Sequence, residues 1–95
     1  MEWIEASDGV RFKRFQQGDL QLRLVEWDEA MIYPNWCLKG RIGYLVEGEV
    51  EIDVAGKLFT YTKGDVILLP EGEEHKHRHK VLTEMAQFFA VDKVS

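Results

Sequence analysis

Every histidine of this 95-residue chain lies in the run EGEEHKHRHK, at positions 75, 77 and 79. Imidazole ligates metal ions when neutral, transfers protons near neutral pH and gains charge below it. On a β-strand a spacing of two sends His75, His77 and His79 to one face and Lys76, Arg78 and Lys80 to the other. Same-face neighbours on a strand lie about 6.8 Å apart, so two adjacent rings can lean onto one ion, whereas His75 and His79, about 13 Å apart, cannot easily do so. A single site would use one adjacent pair. The chain shows no nucleophile elbow, glycine-rich phosphate loop, Cys-x-x-Cys pair or helix-turn-helix pattern.

Strands must carry these groups. LQLRLVEW alternates Leu20, Leu22 and Leu24 with polar Gln21 and Arg23, the period-two pattern of a strand. GYLVEGEVEIDVAGKLFTY is a series of hairpins, with Val50, Ile52 and Val54 on one face and Glu49, Glu51 and Asp53 on the other. Turns are expected at Glu47–Gly48, Ala55–Gly56 and Lys63–Asp65, where the backbone needs a residue tolerant of positive φ. DVILLP is a short apolar strand that Pro70 stops. In VLTEMAQFFAV, Phe88, Phe89 and Val91 and the lack of an N-cap favour a closing strand over a helix. Short strands with regularly spaced turns predict an all-β sandwich or barrel, to which the residues before Leu20 add an outer strand.

A length of 95 residues implies one domain, residues 1–95, with a thin core. Composition, 45% hydrophobic and 12% aromatic, places it among globular chains and away from disorder. The net charge of -5 has the wrong sign for neutralising phosphates, so nucleic acid is not expected as a partner. No apolar stretch has the length of a signal peptide's core or a membrane span, and the single cysteine, Cys37, fits a reducing compartment. A soluble cytoplasmic protein with no membrane partner is the expectation.

GDVILLPEGEEH followed by KHRH is similar to the second motif of the cupin superfamily, GX5PXGX2HX3N: Gly64, Pro70, Gly72 and His75 match, and His79 stands where asparagine is usual. GYLVEGEVEI resembles the hairpin that closes the first motif, GX5HXHX3-4EX6G, with Gly48 as its last glycine. The resemblance runs from about Pro34 to Val91. It implies a small antiparallel β-barrel or jelly roll with a ligand or metal pocket inside, often as a homodimer. The first motif is degenerate: its metal-binding glutamate falls on Arg41, and its two histidines on Asn35 and Cys37 or on Pro34 and Trp36.

The resemblance also points the motif-two histidine into the barrel, and alternation then carries His77 and His79 inward; the reverse would bury Lys76 and Arg78, which is costly. Two function classes follow. In one, His75 and His77 with Cys37 hold a divalent zinc, iron or copper ion that polarises a substrate oxygen or activates water. In the other, the interior is metal-free and binds an anionic small molecule, a carboxylate or sugar acid, through Arg41 and a histidine such as His79, with Tyr33 and Trp36 lining the pocket; the protein is then a sensor, isomerase or lyase. Ordinary uses compete with each: Cys37 as a small buried hydrophobe, the histidine run as a solvated rim, Arg41 paired with a surface glutamate. Clustered histidines would also repel one another as they gain charge near pH ~6.5.

Overall fold

A computed structural model of the chain describes residues 2–31, 36–38 and 40–93. Its strands are β1 Ile4–Ser7, β2 Val10–Gln17, β3 Leu20–Asp28, β4 Arg41–Glu47, β5 Glu49–Val54, β6 Lys57–Thr62, β7 Val66–Leu69, β8 His77–Val81 and β9 Met85–Lys93, with one 3-10 turn, Glu73–His75. They form a six-stranded sheet in the order β1-β2-β3-β9-β4-β7 and a three-stranded sheet in the order β6-β5-β8. All strand pairings are antiparallel. The two sheets form a jelly-roll sandwich. No helix among the described residues is long and apolar enough to cross a membrane.

The hairpins turn where the glycines stand. Ala55 and Gly56 take positive φ between β5 and β6, and the Gly56 N–H donates to Asp53 Oδ1 at 2.8 Å. Gly48, at φ 85°, joins β4 to β5 so close to β9 that a Cβ there would meet the Met85 carbonyl oxygen and lie 2.8 Å from Ala86 Cα. Glycine is required at that crossing by conformation and by space.

Buried Val25, Trp27, Leu45, Ile67, Leu69, Ala86, Phe88 and Ala90 from the larger sheet meet Val50 and Ile52 from the smaller one in a single core. Val50 and Ile52 lie on the face expected from the alternation of β5, and residues 85–93 form the expected strand, paired with both β3 and β4. The residues before Leu20 supply two outer strands. Trp3 packs on their outer side, beneath the Arg11 guanidinium and the Lys13 ammonium.

Two expectations are corrected by the fold. On β3 the leucines do not face the core: Leu20 and Leu22 are exposed, while Val25 and Trp27 are buried and put Gln21 and Arg23 on the inner side. Burial of Trp27, the bulkiest side chain of the strand, together with Val25 fixes its parity, and the leucines are left outside. The second correction concerns the histidines. Gly72, at φ 118°, opens the 3-10 turn in which the His75 N–H donates to the Gly72 carbonyl, so β8 begins only at His77. His75 is therefore not on the strand, and only His77 and His79 share its face.

Candidate functional site

The interior is apolar at one end and polar at the other, and strand register sets both. Inward positions on β3 run Gln21, Arg23, Val25, Trp27, and on β9 they run Asp92, Ala90, Phe88, Ala86, paired in that order. On β4, Leu45 is fully buried, and the alternation from it through Gly43 places Arg41, the first residue of the strand, on the same inner side. Arg23 donates from Nε and Nη2 to Asp92 Oδ2 at 2.8 and 2.7 Å, and Gln21 lies 3.5 Å from the same oxygen.

The smaller sheet supplies the opposite wall. His77 is 1% exposed and pairs with Val54 on one side and with Cys37 on the other. The Cys37 N–H donates to the His77 carbonyl at 2.7 Å and the His77 N–H to the Cys37 carbonyl at 3.0 Å. Residues that exchange both bonds carry their side chains side by side on one face, so the thiol lies next to the imidazole. His77 Nδ1 is 3.4 Å from the His75 carbonyl, and Nε2 is buried with no hydrogen-bond partner among the described residues. His79 reaches across the sandwich, its ring centroid 4.2 Å from that of Trp27.

Arg41 joins the two walls. Its side chain is within hydrogen-bonding reach of the Cys37 sulfur and feels the charges of Arg23 and Asp92. Burial, and then the Arg23 cation, press its pKa below the usual value, against the pull of Cys37 and Asp92. Burial pushes His79 down to about 3, with added repulsion from Arg41 and His77. His77 is lowered chiefly by burial and also by Arg41, while its bond to the His75 carbonyl opposes the shift. At neutral pH both imidazoles are uncharged beside a guanidinium.

The fold thus brings together Arg41, Cys37, His77 and His79. Trp36 goes elsewhere: it precedes inward-facing Cys37 and lies on the outer side, 4.1 Å beneath Arg78 and 4.9 Å beneath Lys76. That stacking on the outward cations of β8 and of the turn before it explains why it does not line the interior. Tyr33 lies outside the described residues. Reading the leucines as the defining face of β3 hides Arg23, Gln21 and Asp92; the signal that finds them is the buried Val25 and Trp27 pair at the same parity.

The expected metal ligands do not fit a cation. His75 is on the 3-10 turn, the Cys37 sulfur faces the Arg41 guanidinium, and no group of three or more His, Cys, Asp or Glu side chains among the described residues has metal-holding geometry. A fixed positive charge inside the donor set opposes a dication at any short distance. Two surface clefts, of about 440 and 310 Å3, open away from this cluster. Asp28, Glu29 and Glu84 with Lys80 edge the first and Glu5, Glu26 and Asp28 with Arg11 the second, linings in which carboxylates outnumber cations and which do not favour an anion.

Comparisons with known proteins agree with this architecture. The structure is similar to that of KdgF from Halomonas sp., with a TM-score of 0.81 and 20% identity over 100% of this chain and 87% of that one. It is also similar to a RmlC-like cupin from Shewanella frigidimarina, with a TM-score of 0.76 and 20% identity over 99% and 84% of the two chains. The EutQ protein of Clostridium difficile gives 0.71 and 22% over 93% and 70%. At such identities the likeness establishes the fold alone. No curated protein matches the sequence. The sequence model described as "Cupin domain" matches residues 39–91, more than half of the chain, and the chain therefore belongs to the cupin domain family.

Proposed function

We propose that this protein binds a small carboxylate-bearing molecule, of the class of organic or sugar acids, inside the sandwich, with Arg41 as its anchor. The observation that carries the reading is an inward guanidinium that feels the charge of Asp92, a carboxylate already held by Arg23. Such a site carries excess positive charge, and a carboxylate matches the guanidinium fork with two parallel bonds. Neutral His77 supplies a buried ring nitrogen with no partner among the described residues as a further hydrogen-bonding group. With its pKa near 3, His79 is too weak a base for efficient proton transfer at neutral pH, which favours binding over acid–base catalysis.

The test is thermal denaturation with a panel of butyrate, succinate, gluconate and glucuronate, on wild type and Arg41→Met. At least one acid is expected to raise the wild-type Tm with concentration and to leave that of Arg41→Met unmoved. Equal shifts in both proteins would overturn the reading. So would near-stoichiometric zinc, iron or copper in tag-free wild type that is lost from His77→Ala.

The outer face of the larger sheet supports a second copy of the chain as partner. An antiparallel sheet with one solvated face is normally polar there. This face instead presents Leu22, Ile42, Tyr44, Val66 and Leu68, all exposed, across strands from β3 to β7. This apolar patch, flanked on the same face by the Arg11–Glu26 ion pair, is complementary to itself, as an isologous interface requires.

A further inference from the structure

The cross-strand register sets two arginines directly opposite each other. Arg14 on β2 pairs with Arg23 on β3, and both share the inner parity of Phe12 and Val25. Like charges opposite one another on a sheet face are destabilising, and such a pair persists where something else compensates it. Arg23 turns Nε and Nη2 onto Asp92, whereas Arg14 is exposed and makes no ion pair among the described residues. The guanidiniums of Arg14, Arg23 and Arg41 therefore share the inner parity toward the polar end, Arg14 at its exposed edge, and among the described residues Asp92 is the carboxylate paired there.

Their placement has a length. β2 and β4 are separated by β3 and β9, three interstrand steps, and Arg14 is level with Gly43, two residues along β4 from Arg41, so the two backbones stand roughly 16 Å apart at these positions. Arginine side chains reaching toward each other from these two strands narrow that span to the size of a short diacid. Arg41 lies at the inner end, against Cys37, and Arg14 at the open rim.

Resting on the anion-binding reading above, we propose that the ligand carries two carboxylates, one at Arg41 and the other between Arg14 and Arg23, so that Arg14 selects dicarboxylic over monocarboxylic acids. The probes are succinate and butyrate, titrated calorimetrically into wild type, Arg14→Gln and Lys13→Gln. Lys13 is next to Arg14 but on the outer face, where it stacks on Trp3, so its loss changes net charge equally without touching the interior. Succinate is expected to bind wild type more tightly than butyrate. Arg14→Gln should weaken succinate about tenfold or more, the scale of a lost charge-assisted pair, while leaving butyrate within about twofold. Lys13→Gln should change neither by more than that. If butyrate binds as tightly as succinate, or Arg14→Gln and Lys13→Gln weaken succinate alike, the dicarboxylate inference fails and carboxylate binding at Arg41 stands. If neither acid binds wild type, the dicarboxylate inference fails, and the carboxylate reading falls with it only when gluconate and glucuronate also leave the wild-type Tm unmoved.

Discussion

Arg41 shows how one side chain can oppose stability and serve binding. Burial lowers its pKa despite the neighbouring Asp92 and Cys37, which means that the fold disfavours its charged form. Replacing a poorly compensated buried charge by an apolar side chain of similar length is often stabilising by 1 kcal/mol or more. Without ligand, Arg41→Met should therefore melt above wild type, by about 4–8 °C for each kcal/mol gained in a domain of this size. A lower Tm would mean that the bonds of Arg41 to its neighbours outweigh the cost of its burial. The sequence position where the resemblance expects a metal-binding glutamate carries a guanidinium, and the sequence alone left both a metal site and an anion site open beside it.

β8 carries the pH response of the molecule. An unfolded histidine titrates near 6.5, while folded His79 is depressed to about 3. Between those values the unfolded chain binds the proton and the folded one does not, so stability falls as pH falls through that window. Among the groups that face His79, His77 and the Arg41 cation oppose its protonation, and the Trp27 ring packs against it. Urea denaturation at pH 7 and pH 5 should show wild type losing up to about 2 kcal/mol more than His79→Phe, from a limiting slope of about 1.4 kcal/mol per pH unit. Parallel losses in the two proteins would show that His79 is solvated enough to titrate normally. The spacing of two correctly set His77 and His79 on one face. It misled at His75 because the strand starts two residues later, after a turn that needs the positive φ of Gly72.

At the scale of the whole molecule, the exposed leucines of β3 and the outer side chains of β4 and β7 form a surface that water does not favour. Sedimentation at micromolar concentration should find wild type as a dimer. Leu22→Glu with Leu68→Glu should yield a monomer with an unchanged circular dichroism spectrum, since each substitution removes a burial worth about 1.5–3 kcal/mol and adds a like charge on both copies. A wild-type monomer would leave this apolar face without the proposed partner. The amino-acid sequence by itself determined the strands from β3 onward, apart from the start of β8, with their turns and the cupin architecture, because alternation, glycine placement and motif spacing are local properties of the chain. It also named Arg41, Cys37, His77 and His79. Only the tertiary structure decided which face of β3 is inside, that Arg23 and Asp92 meet from positions 69 residues apart, and that Trp36 turns outward. Strand parity is fixed by what packs against a strand. A pattern with apolar residues on both faces, as in LQLRLVEW, leaves that choice to its partners in the fold.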